Sequence, residues 1–247
     1  MPEYKLAKNM KRTLKRKVLI VGGSRGLGFA LARNFCGDGC ETVVLSRTAP
    51  HSTDIEFETI LADAVENGAA ERYLREVKPN LVVISFAEGI YKQPEALVDT
   101  EVERIIETNA KGAISWITAA IRLLPAKSKI GWVSSLTALI PDENWAIYAA
   151  TKAAVNHFIE CVRPAALRRG ISITVCYPGC LQTDFHLAAG ASATPAGAVS
   201  PDSIANEMRE AIEAGREFWV AEMDRLIVEK YYEERRRILM ETNGGLK

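Results

Sequence analysis

Lys17-Val18-Leu19-Ile20-Val21-Gly22-Gly23-Ser24-Arg25-Gly26-Leu27-Gly28 is the stretch on which the fold turns. Its first five residues form a short apolar run with β-branched side chains, the pattern of a strand buried on both faces of a parallel sheet. Glycines at 22, 26 and 28 follow at once, and Leu27, Ala30, Leu31 and Phe35 recur behind them at helical spacing. A glycine triplet alone says little. Strand, glycine turn and helix in this order let the backbone approach a pyrophosphate at a helix N-terminus, where unpaired N–H groups and the helix dipole attract anions.

Outward from this unit, similar runs recur. Residues 41–45, 58–63, 81–84, 129–133, 171–176 and 217–220 read as further strands. Residues 100–124 and 146–167 alternate apolar and polar side chains in helical fashion, the second containing Pro164, which is expected to kink it or end a turn. The expected fold class is α/β, a Rossmann-type doubly wound parallel sheet of about seven strands with helices on both faces.

The run at 129–133 leads into Ser134 and Ser135, so Ser135 is placed at the carboxyl end of a strand, where open α/β sheets bind ligands. Strand alternation turns only one of the two hydroxyls inward. Tyr148 and Lys152 are four residues apart and share one helix face. An ammonium beside a phenol favours the phenolate and is expected to lower the tyrosine pKa from its usual ~10, giving a proton donor and acceptor near neutral pH. Taken alone, the same spacing also describes an ordinary helical surface pair.

Together these residues identify the chain as resembling the short-chain dehydrogenase/reductase family, in its compact single-domain branch. The family's TGxxxGxG loop is matched by Gly22, Gly26 and Gly28, with Val21 where threonine is usual. Its catalytic set is matched by Ser135, Tyr148 and Lys152, and the step from serine to tyrosine selects Ser135 over Ser134. The asparagine completing the tetrad falls on Asn109, and the Pro-Gly-x-x-x-Thr loop on Pro178, Gly179 and Thr183. The match runs from about residue 17 to about residue 183 in the family's order.

The resemblance implies an oxidoreductase, a ketoreductase that transfers a hydride between a nicotinamide cofactor and a carbonyl or secondary alcohol. Tyr148 would act as general acid/base, Ser135 would bond the carbonyl oxygen, Lys152 would hold the nicotinamide ribose, and Asn109 would order a water. Cofactor contacts are implied for Gly22, Ser24, Arg25, Gly26, Leu27, Gly28, Asp63, Ala87, Tyr148, Lys152, Pro178, Gly179 and Thr183, the last facing the carboxamide. Asp63 reads equally as a helix N-cap. Enzymes that use NAD generally carry an acid after the second strand. Here Ser46 is followed by Arg47, and Arg25 sits in the glycine loop, so charge-assisted contacts to a 2′-phosphate favour NADP(H) over NAD(H). One segment departs from the family: Asn-Asn-Ala-Gly is replaced by Ser85-Phe86-Ala87-Glu88, with Gly89 next. An NADP(H)-binding regulator without turnover is the alternative, although all four tetrad positions are filled.

With 247 residues, 48% hydrophobic and 25% charged, the chain is long enough for one sizeable core. Lysine plus arginine (31) balance aspartate plus glutamate (31), so overall charge does not point to nucleic acid, and no apolar run reaches membrane-spanning length. Five cysteines without Cys-x-x-Cys spacing read as thiols in a reducing cytoplasm, with no metal site expected. The expected organisation is a basic tail over 1–16 and one catalytic domain over 17–247, with a substrate lid at 185–200 and a charged helix at 224–241 carrying Leu226, Ile227, Tyr231, Ile238 and Leu239. His51, His157 and His186 read as surface or lid residues. Trp145, Ile140, Leu139, Cys180 and Phe185 are the expected pocket lining. A homodimer or homotetramer is implied by the resemblance alone.

Overall fold

The computed structural model describes residues 16–50 and 57–244 of the chain. The basic tail up to residue 15 and His51 lie outside the described residues, as do the side chains of Ile238 and Leu239.

Strand β1 (Lys17–Val21) enters helix α1 (Gly26–Gly37) through the glycine turn and is followed by β2 (Glu41–Ser46), β3 (Glu58–Leu61), helix α2 (Ala69–Val77) and β4 (Leu81–Ile84). Helix α3 (Asp99–Ile105) runs through a π-helical segment (Ile106–Gly112) into α4 (Ala113–Leu123) and then β5 (Lys129–Val133). Helix α5 (Ala146–Arg168), β6 (Ser172–Tyr177), the short α6 (Phe185–Ala188), α7 (Pro201–Ala214), β7 (Phe218–Val220) and α8 (Glu222–Gly244) complete the order. All seven strands are parallel, in the order β3-β2-β1-β4-β5-β6-β7. The order reverses at β1, so a crevice opens between the loops that follow β1 and β4.

Alternate side chains of each strand feed two cores. Leu19, Val21, Val82, Ile84 and Trp132 point to the face covered by α2, α4 and α5. Val18, Ile20, Val44, Leu81 and Val83 point to the face covered by α1 and α7. Phe35 and Leu31 of α1 are fully buried there, each contributing about 1.5–3 kcal/mol of apolar burial. On that seam Arg209 of α7 donates to Asn34 Oδ1 (2.7 Å) and pairs with Asp38 (2.9 Å), tying α7 to the end of α1.

Helix α5 runs through Pro164 to Arg168, one residue past its expected end. The helix expected over 100–124 is present as α3 and α4, and between them the backbone widens to a π-helix around Asn109, a distortion that clusters at functional sites. The helix expected at 224–241 is present as α8, two residues earlier and three later. Among the described residues no helix is long and apolar enough to cross a membrane.

Candidate active site

The carboxyl ends of β1, β2, β4, β5 and β6 open into one cleft of about 1490 Å³. That exceeds the ~300–1,000 Å³ of a site for one drug-sized ligand and leaves room for an extended dinucleotide and a second molecule.

The floor at β1 is backbone. A Cβ on Gly28 would lie 2.0 Å from the carbonyl oxygen of Gly22, and one on Gly22, whose φ is +91°, would lie 2.5 Å from the backbone nitrogen of Phe86. No larger residue fits either position. No side chain caps the N-terminus of α1 and no acid stands in its first turn, so its leading N–H groups face the cleft bare. An anion of a dinucleotide suits this cradle.

At β5, Ser135 leaves the strand at the cleft wall, its oxygen accepting from Thr137 Oγ1 (2.9 Å) and Thr137 N (3.2 Å). With those lone pairs engaged, its proton is available to Tyr148, whose pKa Ser135 acts to lower. Tyr148 and Lys152 both lie on the buried face of α5, 8% and 1% exposed. Lys152 Nζ donates to the Val133 carbonyl (2.8 Å) and sits 4.1 Å from the centre of the Trp132 ring. Burial draws its pKa down to about 7. Burial also raises the Tyr148 phenol well above its ordinary value, opposed in part by the bond to Ser135. The expectation that Lys152 holds the phenol low is therefore not met in this arrangement. Desolvation of both groups outweighs their coupling, because the ammonium is engaged by Val133 and Trp132 and lies 5.6 Å from the tyrosine ring centre. A protonated phenol is the form that gives a proton away.

Gly22, Ser24, Arg25, Gly26, Leu27, Gly28, Ser46, Arg47, Asp63, Ala87, Ser135, Tyr148, Lys152, Pro178, Gly179 and Thr183 all line the cleft. Asn109 does not. It is fully buried behind the wall, where its Oδ1 accepts from Glu88 N and its Nδ2 donates to Glu88 O, both at 2.8 Å. The side chain thus splints the loop after β4. Asp63 caps no helix, since α2 begins at Ala69; its Oδ1 accepts from Val65 N (3.1 Å) and forms a local turn. Ser46 donates its hydroxyl to the Thr48 carbonyl (2.8 Å), and Thr48 bonds Ser24 (3.3 Å), joining the β2 loop to the glycine turn.

The segment that departs from the family is explained by its neighbours. Phe86 lays its backbone on Gly22 and its ring against Gly112, and the bare backbone of Gly89 passes Trp145 and Phe185 so closely that a Cβ would lie 2.8 Å from each ring. Trp145 stacks on Phe185 (5.6 Å between centres, 10° between planes), and both rings contact Tyr148. His186, expected on the surface or lid, is buried edge-on to Trp145 at 5.5 Å, and burial lowers its pKa. Ile140, Cys180, Trp145 and Phe185 line the cleft as expected; Leu139 does not, and Tyr91 and Ile227 of α8 do. Of the expected lid, Phe185–Ala188 is a short helix, and a parallel bridge joins Leu181 to Val199 at its base. The contacts of Trp132 and Phe86 escaped the sequence reading, because both residues look like ordinary core positions on or beside a strand.

Comparison with known proteins points to one family. The chain is 25% identical over 179 residues to 3-dehydrosphinganine reductase TSC10B of Arabidopsis thaliana, covering 66% of this chain and 54% of that protein, so it spans about half the length of that relative. It is 26% identical over 182 residues to the cyclic-di-GMP-binding biofilm dispersal mediator protein of Escherichia coli (strain K12), covering 71% and 77%. The crystal structure of BdcA in complex with NADPH shares the fold with a TM-score of 0.70 at 22% identity, over 81% of this chain and 88% of that one. The short chain dehydrogenase pattern matches residues 16–192, and with it the glycine cradle, the buried Ser135–Tyr148–Lys152 group and the parallel sheet place this chain in the short chain dehydrogenase family.

Proposed function

We propose that the protein is an NADPH-dependent carbonyl reductase, working reversibly as a secondary-alcohol dehydrogenase. The observation that carries this reading is the convergence of Ser135, Tyr148 and Lys152 on one cleft whose other half is the bare glycine turn. When bound, the nicotinamide supplies the hydride. Tyr148 delivers the proton to the forming alkoxide, a task suited to a phenol kept protonated by burial. Ser135 donates to the carbonyl oxygen where negative charge develops. Lys152, pinned by Val133 and Trp132, sets positive charge beside the phenol when its ammonium is protonated, which favours the phenolate left once the proton has been delivered. Asn109 acts by holding the loop of Glu88 in place.

Arg47 and Arg25, both at the cleft and with no acid at Ser46, support NADP(H) over NAD(H). The NADPH held by the fold neighbour BdcA is in keeping with that choice. The ring group of Trp145, Phe185 and Tyr91 supports a substrate with an apolar portion. A homodimer or homotetramer belongs to the same proposal, supported by the exposed apolar side chains of Ile106 and Leu167 beside α4 and on α5, and light scattering measures it.

The test is cofactor consumption at 340 nm against panels of ketones and secondary alcohols. Turnover with NADPH that disappears in Tyr148→Phe supports the assignment. Tight NADPH binding with no turnover on any carbonyl would move the reading to a nucleotide-binding regulator.

A further inference from the structure

Glu88 follows Ala87 in the segment that departs from the family's Asn-Asn-Ala-Gly, and its main chain and side chain do separate things. The main chain is locked in both directions by Asn109. The carboxylate extends along the cleft: one oxygen is taken by Arg104 of α3, and the other lies 3.5 Å from Arg47 Nη1 at the end of β2. Strands β2 and β4 flank β1 in the sheet, so the Arg47–Glu88 contact links the loops on either side of the glycine turn. Both residues line the cofactor cleft.

We propose that Glu88 is a specificity-determining residue that competes with the ribose 2′-phosphate for Arg47 and so sets how strongly the protein prefers NADP(H). This rests on the NADP(H) reading above. The two partners of the contact are unequal. The Glu88 side chain is 20% exposed and anchored by Arg104, whereas the Arg47 side chain is 64% exposed and touches Glu88 through one nitrogen at a long distance. Arg47 is thus the member that moves. A dianionic phosphate offers a guanidinium shorter, charge-assisted, two-point contacts and draws it off a single carboxylate oxygen. Glu88 opposes this by holding Arg47 and by leaving a negative charge beside the phosphate. A cofactor with a plain ribose makes no claim on Arg47 and is insensitive to that competition.

The test is a fluorescence binding titration of the full chain with NADPH and with NADH. Glu88→Gln keeps the side-chain length and the Asn109 bonds, which are to the main chain. It should tighten NADPH about two- to fivefold, the scale of one exposed ion pair, and leave NADH unchanged. The gain should vanish when Arg47→Ala is added and shrink as salt is raised. Arg104→Gln, which returns the second carboxylate oxygen to Arg47, should weaken NADPH. An NADPH preference that depends on Arg47 but is unmoved by Glu88→Gln overturns this proposal alone. So does equal weakening of both cofactors, or a selective loss of NADH, which would assign Glu88 to a ribose hydroxyl. Wild-type protein that prefers NADH, with Arg47→Ala without effect on NADPH, overturns the NADP(H) reading and the proposal with it.

Discussion

Replacing Lys152 by methionine removes a buried ammonium while keeping the length and much of the volume of the side chain. In the folded protein its pKa falls from 10.5 to about 7 through burial. Below pH 7 the group is charged in both states, and the wild type carries the full cost of burying that charge. Between pH 7 and 10.5 the unfolded chain binds a proton that the folded chain does not, so this group makes wild-type stability rise with pH, by ~1.4 kcal/mol per unit. The Lys152→Met variant lacks the rise. The stability difference between the two proteins should therefore shift in favour of wild type by about 2–3 kcal/mol from pH 6 to pH 9. Losing the donor to the Val133 carbonyl costs the variant ~1 kcal/mol at every pH and does not alter the slope. Tyr148 and Cys176, both raised by burial, are common to the two proteins and cancel. Urea unfolding without cofactor, followed by circular dichroism at half-unit steps of pH, measures the difference. Parallel curves from pH 6 to pH 9 would refute the reasoning, and would mean that the Trp132 face, worth up to ~2 kcal/mol to a desolvated cation, and the Val133 carbonyl keep the ammonium charged.

Tyr148→Phe should lower kcat by about 10²–10⁴ while NADPH still binds; steady-state rates and a binding titration separate the two. Ser135→Ala should cost kcat in the same way, whereas Ser134→Ala should raise the Tm slightly or leave it unchanged, because the Ser134 hydroxyl is buried without a hydrogen-bond partner. Gly28→Ala should abolish cofactor binding, as its Cβ would strike the Gly22 carbonyl; calorimetry that detects wild-type affinity would contradict the cradle. Asn109→Leu strands the Glu88 amide and carbonyl and should lower stability by about 2–4 kcal/mol in chemical unfolding, together with weaker NADPH binding.

Strands and glycine turn were legible in the chain because each is written locally. A four- or five-residue apolar run such as Leu81–Ile84 has few alternatives to a buried parallel strand, and the glycines are required by contacts within or next to their own turn. Helix α7 carries little local signal in the chain, since its start at Pro201 follows a small-residue stretch without periodicity, and α8 begins two residues before its expected start.

Sequence alone determined the fold class and the glycine turn, which short local runs of the chain state directly, and it singled out Ser135, Tyr148 and Lys152 through their match to a family pattern. Tertiary structure alone decided what surrounds them. It turned Asn109 from the cleft to the Glu88 backbone, gave Lys152 to Trp132 and Val133, and raised the tyrosine instead of lowering it. It also set Glu88 between Arg47 and Arg104. Each of these depends on desolvation and on contacts between residues distant in sequence, and such energies exist only once the sheet has brought the strand ends together.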